Sequence, residues 1–179
     1  SYIYTYEIPA VIIRPFNNYG PFQHLEKVIP RFITSAFLDE PLTVHGDGKA
    51  CRDFLYVDDH CQALDLLIHC ELDKIRGKVI NLGSGKSYSV NFIARKILEL
   101  TGKPEELIRY IGDRPGQVKK HIAGIEKAKK LLGWQPETSF EEGILHTINW
   151  YRENKSWWER QKWLRYTPII TREGQRELH

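Results

Sequence analysis

The chain has 179 residues, 41% of them hydrophobic and 27% charged, with a net charge of +3. That length and composition suit one domain with a real core, and a charge so mild and interspersed argues against a nucleic-acid platform. No apolar run reaches the length of a membrane span, no secretory leader is legible, and Cys51, Cys61 and Cys70 lack the number and spacing of a disulfide framework or zinc site; the expected compartment is the cytoplasm.

Residues 10–13 (AVII) form a β-branched run of the kind that makes a fully buried strand. The apolar pattern stops at Arg14-Pro15, and Asn17, Asn18, Tyr19, Gly20 and Pro21 follow. That stretch reads either as a surface turn or as a ligand loop at the end of a parallel strand. A buried strand so near the first residue needs neighbours that nothing before it supplies, so the sequence reads as the later part of a larger protein.

Residues 28–38 carry Ile29, Phe32, Ile33, Ala36 and Phe37 at helical spacing, with Pro30 in the first turn and Asp39-Glu40-Pro41 as a stop. Residues 42–45 predict a short strand running into a Gly46-Asp47-Gly48 turn. After the apolar run 54–57, Asp58 or Asp59 is expected to cap a helix with Ala63, Leu64, Leu67 and Ile68 on one face. Residues 78–82 predict a strand ending at Gly83-Ser84-Gly85. Ser89 is placed to cap a helix over 90–100 that Gly102 closes. A short strand over 107–110, a helix over 125–132 stopped by Gly133, and a last helix begun by a Ser139/Glu142 capping box complete the series. The chain divides into residues 1–154 and a Trp-rich tail, 155–179, without clean periodicity. Trp157, Trp158 and Trp163 there suit packing on another domain or a partner surface.

Three patterns imitate catalytic motifs. Gly83-Ser84-Gly85-Lys86-Ser87 looks like the end of a P-loop, yet Ile80 stands where that motif needs glycine. Tyr151 and Lys155 have the Tyr-x-x-x-Lys spacing of a dehydrogenase acid/base pair, but they sit at the end of an amphipathic helix after the sheet elements. His60-Cys61 and His69-Cys70 have no further ligand spaced to join them, so no metal site is expected.

Six stretches in fixed order carry a family likeness: RPFNNYGP (14–21), EKVIPRF (26–32), PLTVHGDGKACRDFLYVDDHCQAL (41–64), INLGSGKSYSV (80–90), DRPGQ (113–117) and KAKKLLGWQP (127–136). Together they resemble the extended short-chain dehydrogenase/reductase family of nucleotide-sugar enzymes, and within it the dTDP-glucose 4,6-dehydratase subgroup. The resemblance implies an α/β fold: the C-terminal part of an NAD(P)-binding Rossmann-fold enzyme, with a sheet-completing strand and a small substrate-binding lobe. It implies NAD as cofactor, held mainly by an N-terminal half with a Gly-rich loop and a Tyr-x-x-x-Lys pair, neither of which stands in the right place here. It also implies a homodimer for the full-length protein.

By the same resemblance, Asn17 holds the diphosphate or sugar, and Phe16 and Asn18 approach the nicotinamide end of NAD. Lys27 and Val28 flank the nucleotide, while Thr43, Val44 and His45 line the base pocket. Arg52 and Arg114 clamp the diphosphate of a nucleoside diphosphate sugar, because two phosphates call for forked donors. Ser89 and Gln117 fall at further contact positions, although helix capping alone accounts for Ser89. The sequence departs from the family at His45, where a tyrosine is usual, at Gln117, where histidine is usual, and at Gly124, where an acid is often found. The first reading is a 4,6-dehydratase. A nucleotide-sugar 4-epimerase, a UDP-glucuronate decarboxylase-like enzyme and a non-catalytic nucleotide-sugar binding module remain as alternatives.

Overall fold

The computed structural model describes residues 1–166, 168–171, 174 and 176–178. Its elements run α1 (Tyr2–Thr5), β1 (Ile12–Pro15), β2 (Asn17–Tyr19), α2 (Val28–Phe37), β3 (Leu42–His45), β4 (Cys51–Arg52) and β5 (Phe54–Tyr56). They continue through α3 (Val57–His69), α4 (Leu72–Ile75), β6 (Val79–Leu82), β7 (Tyr88–Ser89) and α5 (Val90–Thr101). β8 (Ile108–Ile111), β9 (Lys120–His121), α6 (Glu126–Leu132), α7 (Phe140–Glu153) and α8 (Lys155–Glu159) follow, then β10 (Pro168–Ile170) and β11 (Arg176–Leu178).

Parallel pairing dominates: β1 with β6, β2 with β5, and β3 with β8. β4 pairs with β7 in antiparallel and with β9 in parallel fashion, and β10 and β11 form a hairpin. The mixed α/β architecture is the expected one. Two apolar clusters stabilise it. The larger joins α2, α5 and α7 around Ile29, Phe32, Ile33, Ile97, Ile144 and Ile148. The smaller packs Leu55, Ile80 and Leu82 against Ala63, Leu67, Ala128 and Trp134.

The helical signals act as capping chemistry predicts. Ser89 Oγ accepts the Phe92 N–H at 3.1 Å, and Gly102 closes α5 in the left-handed conformation. Ser139 Oγ likewise accepts from Glu142 N. Pro30 lies in the first turn of α2, where its missing N–H would have had no intrahelical partner.

Several details differ from the sequence expectation. Asn17–Tyr19 is not a turn but strand β2, because β1 and β2 form one extended run that changes partner midway. β1 is not fully buried: among the described residues it pairs only with β6, and Ile12 is 47% exposed. Neither Asp58 nor Asp59 caps α3, whose N-cap is Tyr56. Asp59 is buried instead, accepting from the backbone N–H groups of Glu137 and Thr138, and its carbonyl accepts from Trp134 Nε1 at 3.1 Å. It therefore ties α3 to the segment leading into α7. Ile68 points to solvent, so the buried stripe of α3 is narrower than expected. In the tail, Trp158 belongs to the main core: its indole is fully buried, and Nε1 donates to Tyr151 O at 2.7 Å. Trp157 is half-buried against Trp150, and Trp163 is exposed.

Candidate functional site

A crevice opens where the extended run changes partner. Phe16 N still donates to Leu82 O at 2.8 Å, while Asn17 N reaches across to Asp53 O at 3.3 Å. Strands that diverge in this way leave a cleft beyond their carboxyl ends, the usual ligand position in parallel α/β sheets. The other wall includes Thr43 and His45 of β3, which runs into the Gly46–Gly48 turn. Gly48 has φ of +67°, and a Cβ there would collide with the Asn91 side chain, so the tight turn requires glycine. That turn carries the chain from His45 back to Arg52, and both face the same space.

Asp53 fixes the floor. Its fully buried carboxylate accepts from Ser84 N and Ser84 Oγ at 2.7 Å, from Gly85 N at 2.9 Å and from Ala123 N at 3.0 Å. Its carbonyl also accepts from Asn17 Nδ2 at 2.8 Å. The Gly83-Ser84-Gly85 turn thus binds a protein carboxylate, which explains its P-loop-like look without a nucleotide. Gly83 is needed because a Cβ there would overlap Ala123 and approach Asp53 Oδ2.

The resulting cavity holds about 430 Å³. Eight of the residues singled out from the sequence line it: Asn17, Lys27, Val28, Thr43, His45, Arg52, Arg114 and Gln117. Arg52 Nη1 donates to Cys51 O at 2.9 Å and to Val118 O at 2.6 Å, which holds the guanidinium against the cavity wall. Burial lowers the pKa of Arg114 from the ordinary arginine value. Lys27 pairs with Glu26 at 2.7 Å. Burial pushes the His45 ring down to about 4, so it is neutral at pH 7. Its Nδ1 lies 3.0 Å from Gly112 O, and a carbonyl can only accept; Nδ1 carries the proton and Nε2 is the acceptor.

Four sequence candidates do not line this cavity. Val44 is fully buried in the core, since strand alternation sends Leu42 and Val44 inward and leaves Thr43 and His45 facing the cavity. Ser89 spends its hydroxyl on the α5 cap, and its neighbour Val90 lines the cavity instead. Phe16 packs against His121 with ring centroids 4.7 Å apart and planes tilted by 39°. Asn18 takes Gln23 Nε2 on its carbonyl at 2.6 Å, and its Oδ1 is buried with no hydrogen-bond partner. A buried acceptor without a partner has the chemistry to take an N–H of a nicotinamide carboxamide, so the Asn18 side chain fits the group that the resemblance implies for it.

Arg31 was missed. It also lines the cavity, is 4% exposed, and donates from Nη2 to Thr43 O at 2.9 Å. Burial first, then the charges of Arg114 and Arg165, lower its pKa to about 9. Every residue from Ile29 to Ala36 is buried, so the helical period of α2 could not separate a core face from a functional one. Asp53 lay inside a quoted motif, but nothing in the sequence announced its four donors. Tyr151 is buried with its hydroxyl on Gln23 O at 2.6 Å. Among the described residues no three His, Cys, Asp or Glu side chains come together as a group that could hold a metal ion. No helix among those residues is long and apolar enough to cross a membrane.

Known proteins match the chain over most of its length. The family model for GDP-mannose 4,6 dehydratase matches residues 1–147. The low-salt glycan biosynthesis protein Agl12 of Haloferax volcanii is 41% identical over 151 residues, covering 84% of this chain and 47% of that protein. The structure of dTDP-glucose 4,6-dehydratase from Bacillus anthracis in complex with NAD superposes with a TM-score of 0.82 at 36% identity, covering 89% of this chain and 50% of that one. UDP-glucuronic acid 4-epimerase from Bacillus cereus, in complex with UDP-glucuronic acid and NAD, gives a TM-score of 0.80 at 32% identity, covering 85% of this chain and 48% of that one. The chain spans about half the length of the curated relatives it matches. With six motifs in order, the parallel α/β framework and the matched residues all in agreement, the chain belongs to the nucleotide-sugar epimerase/dehydratase family of extended short-chain dehydrogenases/reductases.

Proposed function

We propose that this chain is the nucleotide-sugar-binding part of an NAD-dependent 4,6-dehydratase of the dTDP-glucose type. The observation that carries the reading is the convergence of eight motif residues, from four separate stretches of sequence, on one cavity of about 430 Å³. Arg52 and Arg114 supply planar forks for the two phosphates, and Lys27 adds a point charge. Asn17 has its Nδ2 committed to Asp53 O, which leaves Oδ1 to accept from a sugar hydroxyl. The neutral His45 ring and Thr43 line the cavity on the side assigned to the base. Asn18 Oδ1 and the Phe16 ring orient the nicotinamide end of the cofactor.

NAD, when bound, supplies oxidation at C4 and the hydride returned at C6, with loss of water across C5 and C6 between the two. The residues of this chain bind and align the substrate for that sequence, while the Gly-rich loop and the acid/base tyrosine are assigned outside these 179 residues. The same reading carries a cytoplasmic homodimer.

Calorimetric titration of the full-length enzyme with dTDP and with NAD tests the assignment. Arg52→Ala or Arg114→Ala is expected to weaken dTDP by roughly 1.5–3 kcal/mol, the range for a hydrogen bond to a charged group. That is about one to two decades in affinity, with NAD affinity nearly unchanged and only partial rescue by lysine. No loss of dTDP affinity in either variant would remove these arginines from the site. A clear preference for UDP over dTDP would favour the epimerase or decarboxylase reading instead.

A further inference from the structure

A second cavity, of about 300 Å³, adjoins the first and shares Arg31 and Thr43 with it. Arg109 enters from β8, directly opposite Thr43 in the β3–β8 register. Ser35 sits one helical turn beyond Arg31 on α2. Arg165 comes from the 3₁₀ turn at Lys162–Arg165, beyond the residues the family model matches. The cavity is thus closed by a part of the tail that the first site does not use.

Its charge is not balanced. Arg31 and Arg165 are each 4% exposed, and in both residues Nε and Nη1 are buried without a hydrogen-bond partner. Among the described residues Glu40 is the one acid lining the cavity, with Oε2 2.6 Å from Arg165 Nη2, and no carboxylate pairs with Arg31. Three guanidiniums against one carboxylate leave two positive charges in excess. Native proteins rarely bury a guanidinium without an anion, because its desolvation is repaid only by pairing. Ser35 Oγ accepts from Arg165 Nη2 at 2.6 Å, so its own O–H remains to donate.

We infer that this second cavity is an oxyanion site, separate from the nucleotide-sugar cavity, that takes the phosphate of a small phosphomonoester or free phosphate. Forked guanidinium donors and a hydroxyl donor are the groups that recognise a phosphate. The volume exceeds what a bare phosphate fills, and Pro41 and Tyr166 give it an organic wall, which favours the monoester. The inference does not depend on which nucleotide sugar occupies the first cavity.

Titration of the full chain with inorganic phosphate and with glucose 1-phosphate, each with and without saturating dTDP, tests it. Saturable one-to-one binding that persists in dTDP is expected. Arg109→Ala, a change at an exposed residue outside the first cavity, should weaken it at least fivefold and leave dTDP affinity alone. Glu40→Gln removes the competing carboxylate and should tighten it severalfold. Stronger binding of glucose 1-phosphate assigns the site to a monoester and stronger binding of phosphate to the free ion; both orders support it. Absence of saturable binding, complete displacement by dTDP, or indifference to both substitutions would overturn it. Because Arg109 and Glu40 lie outside the first cavity, a chain that fails to bind dTDP still reports on the second through these two variants.

Discussion

Replacing Asp53 with asparagine should cost roughly 3–5 kcal/mol of folding stability. The carboxylate is fully buried and accepts four hydrogen bonds, two on each oxygen. In its better orientation the amide oxygen faces Gly85 N and Ala123 N, and the NH₂ faces Ser84. The two retained bonds fall from charge-assisted to neutral strength, about 1 kcal/mol each. Ser84 Oγ can turn to accept from the new NH₂, but Ser84 N–H then meets a donor and is left unsatisfied, at about 1–3 kcal/mol. Against a net stability of about 5–15 kcal/mol for a domain, that is a large share. Equilibrium urea unfolding reads it as a lower midpoint at unchanged slope. Since Asn17 hangs from the Asp53 carbonyl and Arg52 precedes it, dTDP affinity should fall as well, measured below the unfolding transition. A shift under about 1 kcal/mol, the size of an ordinary substitution, would refute the view that this carboxylate organises the cavity floor.

Trp158→Ala should destabilise by about 3–5 kcal/mol in the same assay, as expected for emptying a large buried aromatic site, whereas an unchanged midpoint would detach the tail from the core. Tyr151→Phe should cost about 1 kcal/mol through the lost bond to Gln23 O, and in the full-length enzyme it should leave turnover intact; loss of turnover without loss of stability would reinstate Tyr151 as an acid/base group. For His45, the folded ring titrates at about 4 and the free one at 6.5, so between those values the unfolded chain holds the extra proton. Stability is therefore full above pH 6.5 and falls as the pH drops towards 4; His45→Gln should flatten that part of the urea-midpoint profile, and an unaltered profile would assign the acid sensitivity elsewhere.

Much of the candidate site was readable in advance because its residues sit in short, rigid, locally determined features. The Gly46–Gly48 turn, the Ser89 cap and the start of α2 at Lys27-Val28 are set by neighbours in sequence, so motif positions there could be placed from the sequence alone. The errors came where a side chain's direction depends on what its strand pairs with. Val44 was assigned to the base pocket along with its neighbours, yet a strand has two faces and only one meets the cavity. Asn17–Tyr19 was left between a surface turn and a ligand loop because Asn, Gly and Pro favour irregular backbone, and pairing with the distant strand Phe54–Tyr56 overrode that preference.

By itself the sequence determined the order of the larger elements, both ends of α5, the stop of α6, the start of α7 and the family, since capping residues, apolar spacing and glycine turns act over a few residues. Only the tertiary structure decided that β1 hands over to β2 at Phe16, that Asp53 gathers donors from two distant loops, and that Arg31 and Arg165 line one cavity, where among the described residues no carboxylate pairs with Arg31. Each of those depends on burial and charge balance among groups brought together from far along the chain. The free energy of a buried charge is set by whatever surrounds it in space, and no local pattern carries that information.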